Sequence, residues 1–209
     1  MRNVAIVFLV VCLFATSCIV TGCDKEPERM DDYLVEFATL LKEGNSYRFR
    51  IDNGRLLIPV NEEKVSGTPD QRVIVNYVPL RGDSIRINFV SPIFTGAIEP
   101  DGFPEQYIND PLKVQSVWVS GGYLNLIMEI EYHSRPHSMR LFRDLTSPDI
   151  HLYLGHSKND DPPGAPQVMH ASFSLANLRT ENETSTLPFK LSINTYSGVR
   201  VFQLALELP

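Results

Sequence analysis

VQSVWVSGGYLNLIMEIEY, residues 114–132, sets a run of strand-forming residues before Gly121-Gly122 and a cleanly alternating run after it. Leu124, Leu126, Met128, Ile130 and Tyr132 fall on one face of an extended chain, with Asn125, Glu129 and Glu131 on the other. A period of two marks a half-buried β-strand. The glycine pair tolerates the positive φ of a tight hairpin turn, so Val114–Val119 is the partner strand. Trp118, the only tryptophan, sits between Val117 and Val119 and reads as a core residue.

The same logic extends in both directions. Tyr47–Asp52 alternates, Asn53-Gly54 offers a turn, and Leu56–Val60 returns. Gln71–Leu80 is rich in Val, Ile and Tyr. Ile85, Ile87 and Phe89 share one face against Arg86, Asn88 and Val90. Later strands are predicted at Met139–Phe142, Ile150–Gly155, Val168–Leu175, Phe189–Tyr196 and Val201–Leu208. The spacing over Tyr33–Lys42 suits a helix or a strand. Between Ser91 and Pro111 the pattern breaks at Pro92, Pro100, Pro104 and Pro111, which marks a domain boundary with room for a short helix. Regularly spaced strands without intervening helices predict a mainly β protein, an antiparallel sandwich or barrel. The predicted division is 1–22 leader, 23–32 tether, 33–98 first β domain and 99–209 second β domain.

The N-terminus reads as an address. Arg2 precedes an apolar run from Val4 to Phe14, then small residues, the pattern of a secretory signal peptide and too short for a comfortable membrane span. Val20-Thr21-Gly22-Cys23 resembles a bacterial lipobox. A thiolate is a soft nucleophile that can take a diacylglyceryl group, and each buried methylene adds about 0.8 kcal/mol of membrane affinity. Cys23 is the expected lipidation site and membrane anchor. Ala15-Thr16-Ser17-Cys18 is a weaker second candidate. Asp24, Lys25 and Glu26 follow at once. They resemble a surface-export signal of lipoproteins in the Bacteroides group, or serve as a solvated tether. The expected location is the bacterial outer membrane, with surface exposure favoured.

The chain has 209 residues and a formal net charge of −6. That balance argues against nucleic acid as a partner, because acidic surfaces repel phosphate backbones. From Asp31 to Glu99, ten acidic residues outnumber eight basic ones. The cysteines stand at 12, 18 and 23 only, so nothing beyond Asp24 can form a disulfide within the chain.

Several stretches together resemble the NigD-like lipoproteins. They are the hairpin Tyr47–Asn61, Arg72-Val73-Ile74-Val75-Asn76-Tyr77, Asn109–Val114 followed by Trp118 and Gly121-Gly122-Tyr123-Leu124-Asn125, Gly155-His156, and Ser172-Phe173-Ser174-Leu175. The resemblance implies an N-terminal OB-like barrel followed by an antiparallel β-sandwich. It also implies a suspected immunity role without established enzymatic activity, ligand or catalytic residues. An OB-like barrel raises oligonucleotides and oligosaccharides as ligands, though fold alone decides neither.

Candidate chemistry is sparse. His133 and His137 lie four apart, a metal-sharing spacing on a helix, but Pro136 and the preceding strand point to a turn with exposed histidines. His151 and His156 with Asp149, Asp160 and Asp161 form a second polar group, a solvated turn or a calcium-stabilised loop. Glu129 and Glu131 are about 7 Å apart along a strand, a separation used by inverting glycosidases but shared by any solvent-facing strand. Asp83-Ser84-Ile85 resembles an O-glycosylation acceptor. No nucleophile elbow, phosphate loop or dinucleotide motif is present. No catalytic residue, metal or cofactor is assigned. Two functions follow as expectations: a non-enzymatic envelope lipoprotein binding a protein, of immunity type, or a surface lipoprotein that binds or processes glycans.

Overall fold

A computed structural model describes residues 32–102, 104, 107–179 and 186–207. Cys18, Cys23 and the acidic stretch behind them lie outside the described residues.

Five strands form the first layer: β1 (Leu34–Glu43), β2 (Ser46–Ile51), β3 (Leu56–Pro59), β4 (Arg72–Pro79) and β5 (Ser84–Pro92). They close into a barrel in the order β1-β2-β3-β5-β4, and β4 returns to β1. Only β3 and β5 run parallel. β1 settles the helix-or-strand ambiguity. Its Ala38–Glu43 half pairs with β2 and its Leu34–Thr39 half with β4, so tertiary pairing overrides a weak local preference. Ala38, Leu40, Phe49, Ile51, Leu57, Val73, Val75, Tyr77, Ile85 and Ile87 fill the interior. The β2–β3 hairpin turns on Gly54 alone, at φ +87°; Asn53 keeps negative φ and its side-chain oxygen accepts the Arg55 N–H.

One strand departs from its alternation. A β-bulge in the β4–β5 pairing sets Asn76 opposite Phe89 and Tyr77 opposite Ile87, leaving Asn88 unopposed. The extra residue reverses the facing beyond it. Val90 is therefore buried, and Phe89 points out with 51% of its surface exposed.

The sandwich consists of β6 (Phe94–Ala97), β7 (Lys113–Ser120), β8 (Tyr123–Tyr132), β9 (Ser138–Arg143), β10 (His151–Ser157), β11 (Ala165–Ser174), β12 (Leu187–Thr195) and β13 (Gly198–Leu206). One sheet has the order β6-β11-β8-β7, the other β13-β12-β10-β9. The pairings are antiparallel apart from β6–β11 and β10–β12. Leu124, Leu126, Met128 and Ile130 point between the sheets as their alternation predicts, against Leu141, Leu152, Leu154, Phe173, Leu191 and Ile193. Two isolated bridges stitch one sheet to the other, between Ile98 and Leu141 and between Leu112 and Thr195. The Ser91–Pro111 stretch forms the end of β5, β6 and irregular chain, with no helix among its described residues.

Barrel and sandwich belong to one compact unit from Tyr33 onward. The barrel rests on the outer face of the β6-β11-β8-β7 sheet.

Candidate functional site

Arg72, the first residue of β4, is 1% exposed yet carries a full charge. Its Nη1 donates to Asp52 Oδ1 at 2.6 Å and its Nη2 to Asp52 Oδ2 at 3.1 Å, a bidentate pair. Nη2 also donates to Asn125 Oδ1 at 3.1 Å and Nε to Ser172 Oγ at 3.3 Å, so one side chain ties barrel to sandwich. Its guanidinium lies over the Tyr123 ring, 4.3 Å from the centroid. Ser120 Oγ donates to Asp52 at 2.6 Å, and Asn125 Nδ2 to Asp52 at 3.2 Å. The β7–β8 turn makes room for this. Gly121 has φ +59°, and a Cβ there would stand 2.8 Å from Asp52 Oδ1. Asp52, Arg72, Asn125 and Ser172, drawn from four separate stretches, thus meet in one buried polar knot. Each hydrogen-bonds to another, which is what makes burial of the charges tolerable.

Beside the knot, a groove runs along the angle between barrel and sheet. It has two adjoining recesses of about 460 and 430 Å³ that share Val35, Ile74 and His170. In the first, Phe37 meets Trp118 edge to face at 5.0 Å, and Trp118 Nε1 donates to Ser120 Oγ at 3.1 Å. Trp118 is therefore a groove residue, not the core residue its neighbours suggested. A bulge between Val114 and Ser116 resets the register, so Val117 and Val119 face the sandwich core and Trp118 faces outward. In the second recess, outward-turned Phe89 and half-exposed Val168 stand on opposite walls. Burial holds the His170 imidazole below its ordinary pKa, so it is neutral at pH 7.

The histidine groups foreseen from spacing are redistributed. His133 is exposed in its turn. His137, from that pair, instead meets His156, from the other: His137 Nδ1 lies 3.0 Å from His156 Nε2. His156 Nδ1 lies 3.0 Å from the Asp110 carbonyl and must be the donor there, leaving Nε2 to accept from His137. On the far side His137 Nε2 faces Asp161 Oδ2 at 3.4 Å. Asp161 accepts the backbone N–H groups of His133, Ser134 and Arg135, which hold its carboxyl well below the usual carboxylate range despite burial. Burial also pushes His156 down. The ring nitrogens point at one another, and among the described residues no group of three or more His, Cys, Asp or Glu could hold a metal ion. His151 turns to Ser192 Oγ at 2.8 Å and stacks on Tyr153; Asp149 and Asp160 are exposed.

Next to this chain lies a cleft of about 410 Å³ whose lining includes Tyr107, Ser138, Arg140, Phe142, His156 and Asn159. Elsewhere, Lys113 Nζ reaches Glu129 at 3.2 Å. Ser84 opens β5 half-buried, and Asp83 pairs with Arg55 at 2.9 Å. Among the described residues no helix is long and apolar enough to cross a membrane.

Residues 96–205 match the NigD-like C-terminal beta sandwich domain, and the chain belongs to that family. Solved structures with the same fold include a protein of Parabacteroides distasonis ATCC 8503 described as toxin-related, 25% identical with a TM-score of 0.73, covering 84% of this chain and 94% of that one. A NigD-like immunity protein of Bacteroides caccae ATCC 43185 is 21% identical with a TM-score of 0.66, covering 81% of this chain and 90% of that one. A protein of Bacteroides fragilis NCTC 9343 described as a lipoprotein is 14% identical with a TM-score of 0.62, covering 83% and 97%. Among curated proteins none matches.

Proposed function

We propose that this chain is a non-enzymatic, lipid-anchored envelope protein, held by Cys23, that binds a protein partner in the groove between barrel and sandwich. The observation that carries this reading is the groove itself. Its apolar lining includes two aromatic side chains turned outward beyond β-bulges, and large outward apolar surface marks interaction sites. The polar knot beneath it keeps the walls in fixed relation, which lowers the ordering cost of binding. The immunity and toxin-related descriptions of similar structures favour a toxin as the partner class. The lipoprotein description of another agrees with the lipobox. Expression in a bacteriocin-sensitive strain followed by challenge tests the immunity role: protection supports it, and unchanged killing at full expression removes it.

A second reading has its own observation. The cleft over Tyr107 and Phe142, rimmed by Ser138, Arg140 and Asn159, offers an aromatic floor with polar edges, a setting that suits a sugar. A glycan array probed with the soluble chain decides it; silence across host and dietary polysaccharides retires it.

A further inference from the structure

We propose that β13 is the interface of a two-fold dimer, in which a second copy of this chain lays its own β13 antiparallel along the same edge and joins two four-stranded sheets into one continuous sheet. β13 stands at the end of the order β13-β12-β10-β9 and pairs only with β12. Which of its backbone groups are free follows from that partner. Lys190 N–H donates to the Ile150 carbonyl, and the Asn194 carbonyl accepts from Leu112 N–H, so both residues turn their backbone away from β13. In an antiparallel pair the residues opposite them, Gln203 and Val199, turn theirs away from β12 in the same manner. Alternation extends this to Val201 and Ala205. The N–H and C=O groups of Val199, Val201, Gln203 and Ala205 therefore line an open edge, without a partner among the described residues, and all four residues are exposed.

An edge of this kind invites another strand, and proteins blunt the edges that must stay single. The other edges here are blunted. On β5 the Asn61 side chain bonds both the N–H and the carbonyl of Ile87, and Ser66 Oγ donates to the Val90 carbonyl. On β9 the edge is taken by Ile98 and by Glu99 N–H, which donates to the Leu141 carbonyl. β7 is bulged between Val114 and Ser116, and β6 has only four residues. β13 has none of these devices. Its nine residues hold an unbroken register and include no proline and no carboxylate, and Val199 and Val201 are more than half exposed. Its one charge, Arg200, lies over the Phe202 ring, 4.8 Å from the centroid.

The strand is complementary to itself. With Phe202 on the two-fold axis, Val199 meets the partner's Ala205 and Val201 meets the partner's Gln203, each pair exchanging both of its N–H···O=C bonds. A branched side chain thus faces a small or a flexible one, and the two Val201 side chains are diagonal neighbours across the axis. Arg200 falls opposite the partner's Leu204, so the two guanidinium positions are four residues apart, roughly 13 Å along a strand and beyond the ~8 Å screening length of physiological salt. Nothing on β13 calls for an opposite charge from elsewhere, and a second copy supplies all that the edge presents.

The full-length chain is tested in the membranes of expressing cells. Val199→Cys and Ala205→Cys chains carrying different epitope tags are co-expressed and mildly oxidised; in this register their Cα atoms are about 5.5 Å apart, within disulfide reach. Expected is a mixed disulfide dimer that is absent when either variant is expressed alone, because like positions then stand roughly 20 Å apart. Val201→Pro removes an N–H that β12 does not use. By symmetry it deletes two edge hydrogen bonds, so the dimer dissociation constant of the detergent-solubilised chain, read by sedimentation, should rise roughly tenfold or more with the melting temperature unchanged. Val201→Lys serves the same purpose if the proline lowers the melting temperature. A monomer at every concentration, equal cross-linking in the single-variant controls, or a dimer indifferent to both Val201 substitutions would overturn the proposal. So would cross-linking of Val199→Cys to a chain of another mass, which would give the edge to a foreign strand.

Discussion

Arg72 Nη2 donates to Asn125 Oδ1 at 3.1 Å across the line where the barrel meets the sandwich. The contact joins residues that are 53 positions apart and anchors the buried knot that fixes the groove's shape.

Removing the cation should therefore be costly. Arg72→Met leaves the Asp52 carboxylate without its counter-charge and is expected to lower stability by about 3–5 kcal/mol, read from urea unfolding. Arg72→Lys should recover little, because an ammonium cannot make the bidentate fork. Adding Asp52→Asn to Arg72→Met should restore part of the loss, since the buried charge is gone; a strictly additive double variant would contradict the pairing.

Gly121→Ala should be damaging for a different reason. The left-handed φ of +59° costs an L-residue about 1–2 kcal/mol, and the new methyl would press on Asp52. A loss larger than that backbone cost, measured by thermal unfolding, would confirm that Asp52 is displaced. Gly54→Ala, with φ +87° and open space around its Cβ, is the control and should show the backbone cost alone.

The His137–His156–Asp161 chain makes the sandwich acid-labile. Burial lowers the His156 pKa, so the unfolded chain binds its proton more readily and stability falls as pH drops through the ordinary histidine range near 6.5. A proton on His156 Nε2 would also face the His137 Nδ1 proton across 3.0 Å. Asp161 is depressed, so its contribution is full above the ordinary aspartate range and is lost as pH falls below it. The charges facing this chain from neighbouring elements are Asp110 and Lys158. Unfolding free energy followed from pH 8 to pH 3 should hold level down to the ordinary histidine range, fall there, and fall again below the ordinary aspartate range for the wild type. His156→Gln should flatten the upper part of the curve and Asp161→Asn the lower part. A flat wild-type curve would refute the assignment.

Phe89 and Val168 should matter little to folding. Both are more than half exposed, so Phe89→Thr and Val168→Thr are expected to change stability by no more than about 0.5 kcal/mol. Ile87→Thr, inside the barrel, should cost several times as much. A large loss at Phe89 would mean that it packs inward after all.

Cys23→Ser should release the protein from the membrane fraction into the soluble fraction, as seen by detergent partitioning. Retention of the variant, with acyl chain found on Cys18, would move the anchor.

How far the residues speak for themselves differs from strand to strand. In β8 the alternation of Leu124, Leu126, Met128 and Ile130 stated the facing of every side chain, because a period of two maps directly onto a flat pairing. In β5 the same rule misled at Phe89, and in β7 the apolar neighbours of Trp118 suggested a core residue where alternation with Val117 and Val119 turns it outward. A bulge is set by the partner strand's register, which no local pattern encodes, and both residues contribute to the groove's aromatic walls. His137 and His156 were each visible as titratable residues but were grouped with sequence neighbours. The turn after β8 and the end of β10 bring them together only in three dimensions.

By itself, then, the sequence determined the mainly β class and most strand positions, since both rest on local periodicity. It also carried the family resemblance in separate stretches, without showing that Asp52, Arg72, Asn125 and Ser172 would share one buried knot. The tertiary structure alone decided that, along with the two bulges and the groove, because closing the barrel against the outer face of a sheet is a relation among distant residues. Burial there removes water from the polar groups, and their hydrogen bonds must then be supplied by whichever strands arrive alongside.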